Sequence, residues 1–180
     1  MKTMLLLALS FSIFSVNAQK YFTRTGNVIF FSHAPMEDIK AENSQVAAIL
    51  NGEDGSLTFA LLIKSFEFEK ALMQEHFNEN YLESDDFPKA NFKGEIIDFS
   101  RDMLQSGKNS EVSISGQLTI HGVTQNIETL ANLAANEDGV RGTAQFIVKP
   151  EDYNIKIPKA VRNNIAKEIE VTVTVDLKPR

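Results

Sequence analysis

The chain has 180 residues, a formal net charge of −6 at neutral pH and no cysteine. The lack of cysteine excludes disulfides and thiolate metal sites, and an acidic domain without a basic cluster is a poor match for nucleic acid or an anionic membrane surface. Thirteen Phe and no Trp call for a sizeable apolar interior.

Lys2 precedes an apolar run from Met4 to Val16, followed by small residues up to Ala18. This order predicts a secretory signal peptide over residues 1–18, cut after Ala18. The run is too short for a transmembrane helix, and no cysteine follows it to carry a lipid. Taking 18 from 180 leaves 162 residues, 19–180, enough for one domain. Losing Lys2 with the leader takes the charge from −6 to −7. A periplasmic or secreted location is the expectation. No later stretch is long and apolar enough to span a bilayer as a helix.

From Tyr21 to Phe31 the sequence is β-branched and aromatic, with Gly26 marking a bend, and Pro35 ends it. Met36–Ala41 and Val46–Leu50 read as short pieces of a second strand. Asn51-Gly52-Glu53-Asp54-Gly55 is a turn. Leu57, Phe59, Leu61 and Ile63 then alternate with more polar neighbours, as a half-buried strand requires. Phe66 and Phe68 have the opposite parity, which places a bulge or helix connection near Ser65.

Leu72, Met73, His76, Phe77 and Tyr81 recur at helical spacing, and Glu69, Gln74, Glu75, Asn78 and Glu79 fall mostly on the other side. A helix of about three turns is marginal alone and must lean on something. The expectation is that it lies across one end of a closed sheet. Asp85-Asp86-Phe87-Pro88 is a solvated break, and Ala90–Phe99 is the next strand. Val112, Ile114, Leu118 and Ile120 alternate up to a tight hairpin at His121-Gly122. Ile127–Ala134 returns, and Glu137-Asp138-Gly139 turns again. Val140, Ala144, Phe146 and Val148 share a face, and Pro158–Asn164 reads as a helical turn. The last strand sets Ile169, Val171, Val173, Val175 and Leu177 against charged residues and Thr.

About eight strands joined mostly by short turns must be antiparallel neighbours. With one dry and one wet face, the sheet must curl or stack. The expected fold is all-β: an eight-stranded antiparallel barrel with one short helix insertion near one end. Such a barrel is filled by side chains or holds one small ligand. By parity, Phe59, Leu61, Ile63, Phe92, Ile114, Leu118, Phe146, Val171 and Val173 point inward. Parity alone does not separate a core face from a pore face. Leu72, Met73, His76 and Phe77 are candidates for the mouth, or for a helix docked on the barrel edge.

A lone His on an apolar face is more often structural than a ligand; the alternative for His76 is a polar contact with a bound ligand, or a pH-sensitive gate. His76 and Glu79, at i and i+3, are two groups without a third, which does not make a metal site. His121 is expected to satisfy turn backbone, and His33 to be exposed. No G-x-S-x-G, phosphate loop, H-E-x-x-H or Cys nucleophile is present, so no enzyme activity, cofactor or metal is expected.

Three stretches resemble the YceI-like family of secreted, lipocalin-like, polyisoprenoid-binding proteins. They are Phe66–Gly94 (FEFEKALMQEHFNENYLESDDFPKANFKG), Gly116–Thr124 (GQLTIHGVT) and Glu151–Ile155, where Asn154 stands at a usual Gly. The likeness runs from about Tyr21 to Leu177. It departs at Gly26–Phe31, where the family's usual polar group near the pore is missing. The resemblance implies a barrel holding an isoprenoid or another amphiphilic lipid in its pore, as a carrier or sequestering protein. The alternative is a solid barrel plugged by Phe59, Phe92 and Phe146 that acts through its outer surface. Monomer and homodimer both remain open.

Overall fold

The computed structural model describes residues 19–180; the expected leader, 1–18, lies outside them. Nine strands are present among the described residues: β1 (Lys20–His33), β2 (Asp38–Asn51), β3 (Ser56–Leu62), β4 (Glu67–Phe68), β5 (Lys89–Ile96), β6 (Asn109–Ile120), β7 (Val123–Asn136), β8 (Gly139–Val148) and β9 (Ile169–Pro179). Every pairing is antiparallel. The order β1-β9-β8-β7-β6-β5-β3-β2 is closed by pairing of β1 with β2. Eight strands therefore form the expected barrel, and the two-residue β4 adds to β2 at Ala41 and Glu42. No helix among the described residues is long and apolar enough to cross a membrane.

Closure bends the long strands, and the sequence marks where. At Gly26 the β1–β2 register shifts on both sides. A Cβ there would meet Val175 Cγ1 at 2.8 Å and Val46 O at 3.1 Å, so only Gly lets the bulged strand cross the interior. β6 and β7 are joined by His121 and Gly122, at φ 49° and 73°. Two left-handed residues give the turn twist that matches a hairpin.

Three expectations are adjusted. The second strand is one piece, Asp38–Asn51, and Met36 sits in the preceding turn. The fully buried Asn43 bridges what polarity suggested was a break: its side-chain amide donates to Leu62 O at 2.9 Å and its Oδ1 accepts from Gln45 N. The strand expected to reach Phe99 ends at Ile96, and Phe99 packs instead against Gly55. The helix is shorter: α1 covers Ala71–His76, and Phe77–Tyr81 widens into a π-helical turn. None of these helical residues is fully buried, because the helix lies on the barrel's rim. The connection near Ser65 is a 3-10 turn, Ile63–Ser65, and that near Pro158 is a 3-10 turn over Lys159–Val161.

A ligand-sized chamber in the upper half of the barrel

The barrel's two ends differ. At the lower end, where β2 runs into β3 and β7 into β8, Tyr21, Leu50, Leu57, Ile96, Val112, Leu133, Val140 and Leu177 form one packed cluster. Phe99, Met103 and Leu104, around a 3-10 turn at Arg101–Leu104, pack against it as a plug. Toward the upper end β2 and β3 stay paired for only four positions, and β7 and β8 for six. Where neighbours diverge the circumference grows, and side chains of the same length no longer meet across the middle. A cavity of about 600 Å³ results.

All thirteen residues singled out by parity and helical spacing lie on the wall of this one cavity. Phe59 and Leu61 come from β3, Phe92 from β5, Ile114 and Leu118 from β6, Phe146 from β8, and Val171 and Val173 from β9. Ile63 follows in the 3-10 turn, still pointing inward and 2% exposed. Phe59 and Phe92 meet edge to face, centroids 6.1 Å apart, and with Ile114, Ala144 and Val173 touch both the packed lower cluster and the chamber. They are its floor. The plugged barrel expected as the alternative is not what forms: these rings bound the space and leave it open.

The wall also holds residues that the sequence reading left out. Ile120 of β6 and Val148 of β8 share strand parity with residues already read as inward, so alternation carried through would have found them; Val28 and Phe30 come from β1, to which no inward face was assigned and whose register shifts at Gly26. Ile155, Ile157, Val161 and Ile165 reach the chamber from the irregular segment between β8 and β9, and no periodicity announces them.

Over the upper opening lies the helical insertion. Phe77, at the start of the π-turn, packs into a four-ring cluster with Phe30, Phe66 and Phe68, at centroid distances of 5.4, 5.6 and 5.0 Å. Phe30 touches Phe66 and Phe68 as well. Leu72, Met73 and His76 line the opening from α1; Leu72 is 60% exposed, so its apolar surface is at the doorway and not in a core.

The ionisable lining groups sit at this mouth. Lys70 Nζ donates to Glu37 Oε1 at 2.7 Å, and Asn164, which lines the same mouth, adds slightly to the lowering of the Glu37 carboxyl. The Lys70 hydrogen bond is the main reason that the Glu37 carboxyl is held below its ordinary value, and Glu37 in turn raises Lys70. The buried Ser32 accepts from Ala166 N at 2.9 Å, and Met36 N donates to Asn163 O at 3.0 Å. These bonds moor the irregular segment across the opening. His33 is exposed and pairs with Asp38. His76 and Glu79 are exposed, and no group of three His, Asp or Glu among the described residues is arranged for a metal.

His121 does more than hold its turn. Its Nδ1 lies 3.1 Å from Tyr153 O and its Nε2 2.8 Å from Glu83 Oε2, with Phe87 against the ring. It thus ties the β6–β7 hairpin to the end of the helical insertion and to the turn after β8.

A closed antiparallel barrel with a solid foot, an apolar upper chamber and a helical flap is a lipocalin-like fold. The YceI-like domain model matches residues 16–177, and the chain belongs to that family. Among solved structures, it is similar to a polyisoprenoid binding domain from Saccharophagus degradans implicated in plant cell wall breakdown, at 15% identity and TM-score 0.76, covering 91% of this chain and 99% of that one. It is also similar to BcnA of Burkholderia cenocepacia, at 15% identity and TM-score 0.69, covering 84% and 94%. The YCEI protein of Campylobacter jejuni matches at 15% identity and TM-score 0.56, covering 100% and 99%. At these identities the likeness is one of fold. No curated protein matches the chain by sequence.

Proposed function

We propose that this protein is a non-enzymatic carrier or sequestering protein, exported by its leader to the periplasm or beyond, that holds the tail of an isoprenoid or similar amphiphile in the upper chamber. The observation that carries this reading is an apolar cavity of about 600 Å³ whose ionisable groups are confined to the mouth. Such a size falls within the roughly 300–1,000 Å³ of small-molecule sites. Burying about ten methylenes at ~0.8 kcal/mol each supplies about 8 kcal/mol before association costs, and a longer tail supplies proportionally more, so a tail well beyond ten carbons is what reaches micromolar binding. A dry, empty cavity of this size would cost about 14 kcal/mol at the rate seen for cavities in packed cores. That is as much as the whole net stability of a domain, ~5–15 kcal/mol. The chamber is open at its mouth, so without a guest it holds water against an apolar wall, and a hydrocarbon tail that displaces this water is favoured. Phe59, Leu61, Ile63, Phe92, Ile114, Leu118, Phe146, Val171 and Val173 contact the tail in this reading. Leu72, Met73, His76 and Phe77 surround the headgroup end. The membership of the family and the polyisoprenoid-binding neighbour support it.

Native mass spectrometry of protein purified from bacteria, followed by organic extraction, tests the proposal. Expected is a bound lipid, and a rise in thermal midpoint when a polyprenol is added to delipidated protein. Protein that carries no lipid, and whose midpoint does not move with polyprenols or fatty amides, would overturn it.

A further inference from the structure

The barrel wall is stitched unevenly. β6 and β7 pair over their whole facing length, at twelve positions. β7 and β8 pair only from Ala131–Ala144 down to Asn136–Gly139. Above that, Val123–Leu130 of β7 and Gln145–Val148 of β8 have no strand partner on their facing sides. Ala135 exchanges main-chain bonds with Gly107 and Lys108 on the β6 side. By strand alternation, Thr124, Asn126, Glu128 and Leu130 therefore aim their N–H and C=O groups at the seam. The other early divergence, between β2 and β3, is covered: β4 pairs with β2, and Asn43 donates to Leu62 O. The β7–β8 seam has no added strand; the 3-10 turn Pro150–Tyr153 covers only its top, through Tyr153 and Gln125.

Side chains span it at two levels. Thr129 Oγ1 donates to Gln145 O at 3.2 Å at the bottom, and Gln125 Nε2 donates to Asp152 O at 2.7 Å at the top. Four residues separate these bonds, about 13 Å at the rise of a strand. Both lips face the chamber, through Ile127 and Thr129 on one side and Phe146 and Val148 on the other. Outside, Leu130 and Ile147 are 60% and 52% exposed, so apolar surface flanks the seam on both faces of the wall.

The geometry points to this seam as a lateral portal through which the hydrocarbon tail enters and leaves the chamber. The inference rests on the lipid-binding reading above. A tail passing along the barrel axis must cross the Glu37–Lys70 ion pair and the moored segment at the mouth. A tail passing sideways breaks no strand ladder: it parts the lips between the Thr129–Gln145 and Gln125–Asp152 bonds, past main-chain groups that have no strand partner, with Ile127, Phe146 and Val148 on the chamber side and Leu130 and Ile147 outside. The tail then lies up the chamber, with its headgroup end beneath Leu72, Met73 and His76 of the helical flap.

The absence of native cysteine makes a direct test clean. Glu128→Cys with Ile147→Cys places thiols on the outer side of the two lips, to be joined by a bismaleimide. Lys70→Cys with Asn164→Cys, two positions that line the mouth from the helical insertion and from the moored segment, gives a staple across the axial mouth. The same variants capped with N-ethylmaleimide are the references, so a folding defect shows in both members of a pair. Uptake and release of dansyl-labelled farnesol are followed by stopped-flow fluorescence. The expected result is that the β7–β8 staple slows both rates at least tenfold and the mouth staple changes them less than twofold. Slowing by the mouth staple, alone or equally with the other, overturns the portal and leaves the lipid-binding reading standing. Failure of the capped proteins to take up the probe overturns both.

Discussion

The ring of Phe77 lies on the ring of Phe30, centroids 5.4 Å apart and planes 26° from parallel. One residue belongs to the flap and the other to the first strand, so this contact is how a helix with no buried residue of its own is held on the barrel. A six-residue helix followed by a π-turn has little intrinsic stability, and its attachment is the aromatic cluster. Phe77→Ala removes every ring contact the flap makes with Phe30, Phe66 and Phe68. It is expected to cost about 2–3 kcal/mol, less than for a fully buried ring. Hydrogen exchange should show the loss concentrated in residues 71–84; protection lost evenly over the barrel would contradict a local role.

The packed foot and the hollow upper half respond differently to truncation. Leu133 lies in the lower cluster and Leu118 on the chamber wall, both buried. Leu133→Ala should cost ~2–5 kcal/mol in urea unfolding, as in a close-packed core. Leu118→Ala should cost less, since it enlarges a space already present, and should mainly weaken farnesol binding. Equal costs with unchanged binding would mean that the chamber is not where the ligand sits.

Phe92 makes the floor because two glycines let its ring lie down. Gly94 and Gly116 face each other across β5 and β6, and a Cβ on either would come within 2.6 Å of Phe92 Cζ and of main-chain oxygen. Gly94→Ala or Gly116→Ala should push the ring up into the chamber and destabilise by about 1–3 kcal/mol or more. Calorimetric ligand titration of the folded variant is expected to show weaker binding of long-tailed ligands than of short ones.

The mouth is sensitive to acid. The hydrogen bond from Lys70 holds the Glu37 carboxyl below its ordinary value, with burial opposing. A lowered native pKa means that the native state binds fewer protons than the unfolded chain. The stability it contributes is present above the unfolded pKa and is lost as pH falls through the lowered native value. The pair is exposed to solvent, so the contribution is small. Urea midpoints measured from about pH 6 down to about pH 3 should fall more for the wild type than for Glu37→Gln. Parallel curves would show that the pair adds nothing to folding.

Alternation along the chain was enough to write the barrel and most of its inner face. Leu57, Phe59 and Leu61, or Val171, Val173 and Val175, reveal their facing directly, because a strand with one wet side must alternate. Asn154 shows a local rule read from its departure: where a Gly is usual, Asn takes φ 58° at the end of a 3-10 turn, a left-handed conformation that Asn tolerates better than most residues. His121 was legible only in part. Its place in a tight turn was plain from His121-Gly122, but its bonds to Glu83 and Tyr153 join residues 38 and 32 positions away, and no local pattern encodes such a meeting.

By itself, the sequence determined which side chains turn inward, where the chain reverses and that one amphipathic stretch interrupts the strands, since each follows from backbone geometry a few residues long. Only the tertiary structure decided that the lower half is solid and the upper half hollow. Inward Leu, Ile and Phe read alike in both. What separates them is how far neighbouring strands stay together: β2 and β3 part after Ala47–Ala60, and β7 and β8 part above Ala131–Ala144. The circumference set by those partings, a property of the closed sheet and of no single strand, decides whether facing side chains meet or leave a chamber between them.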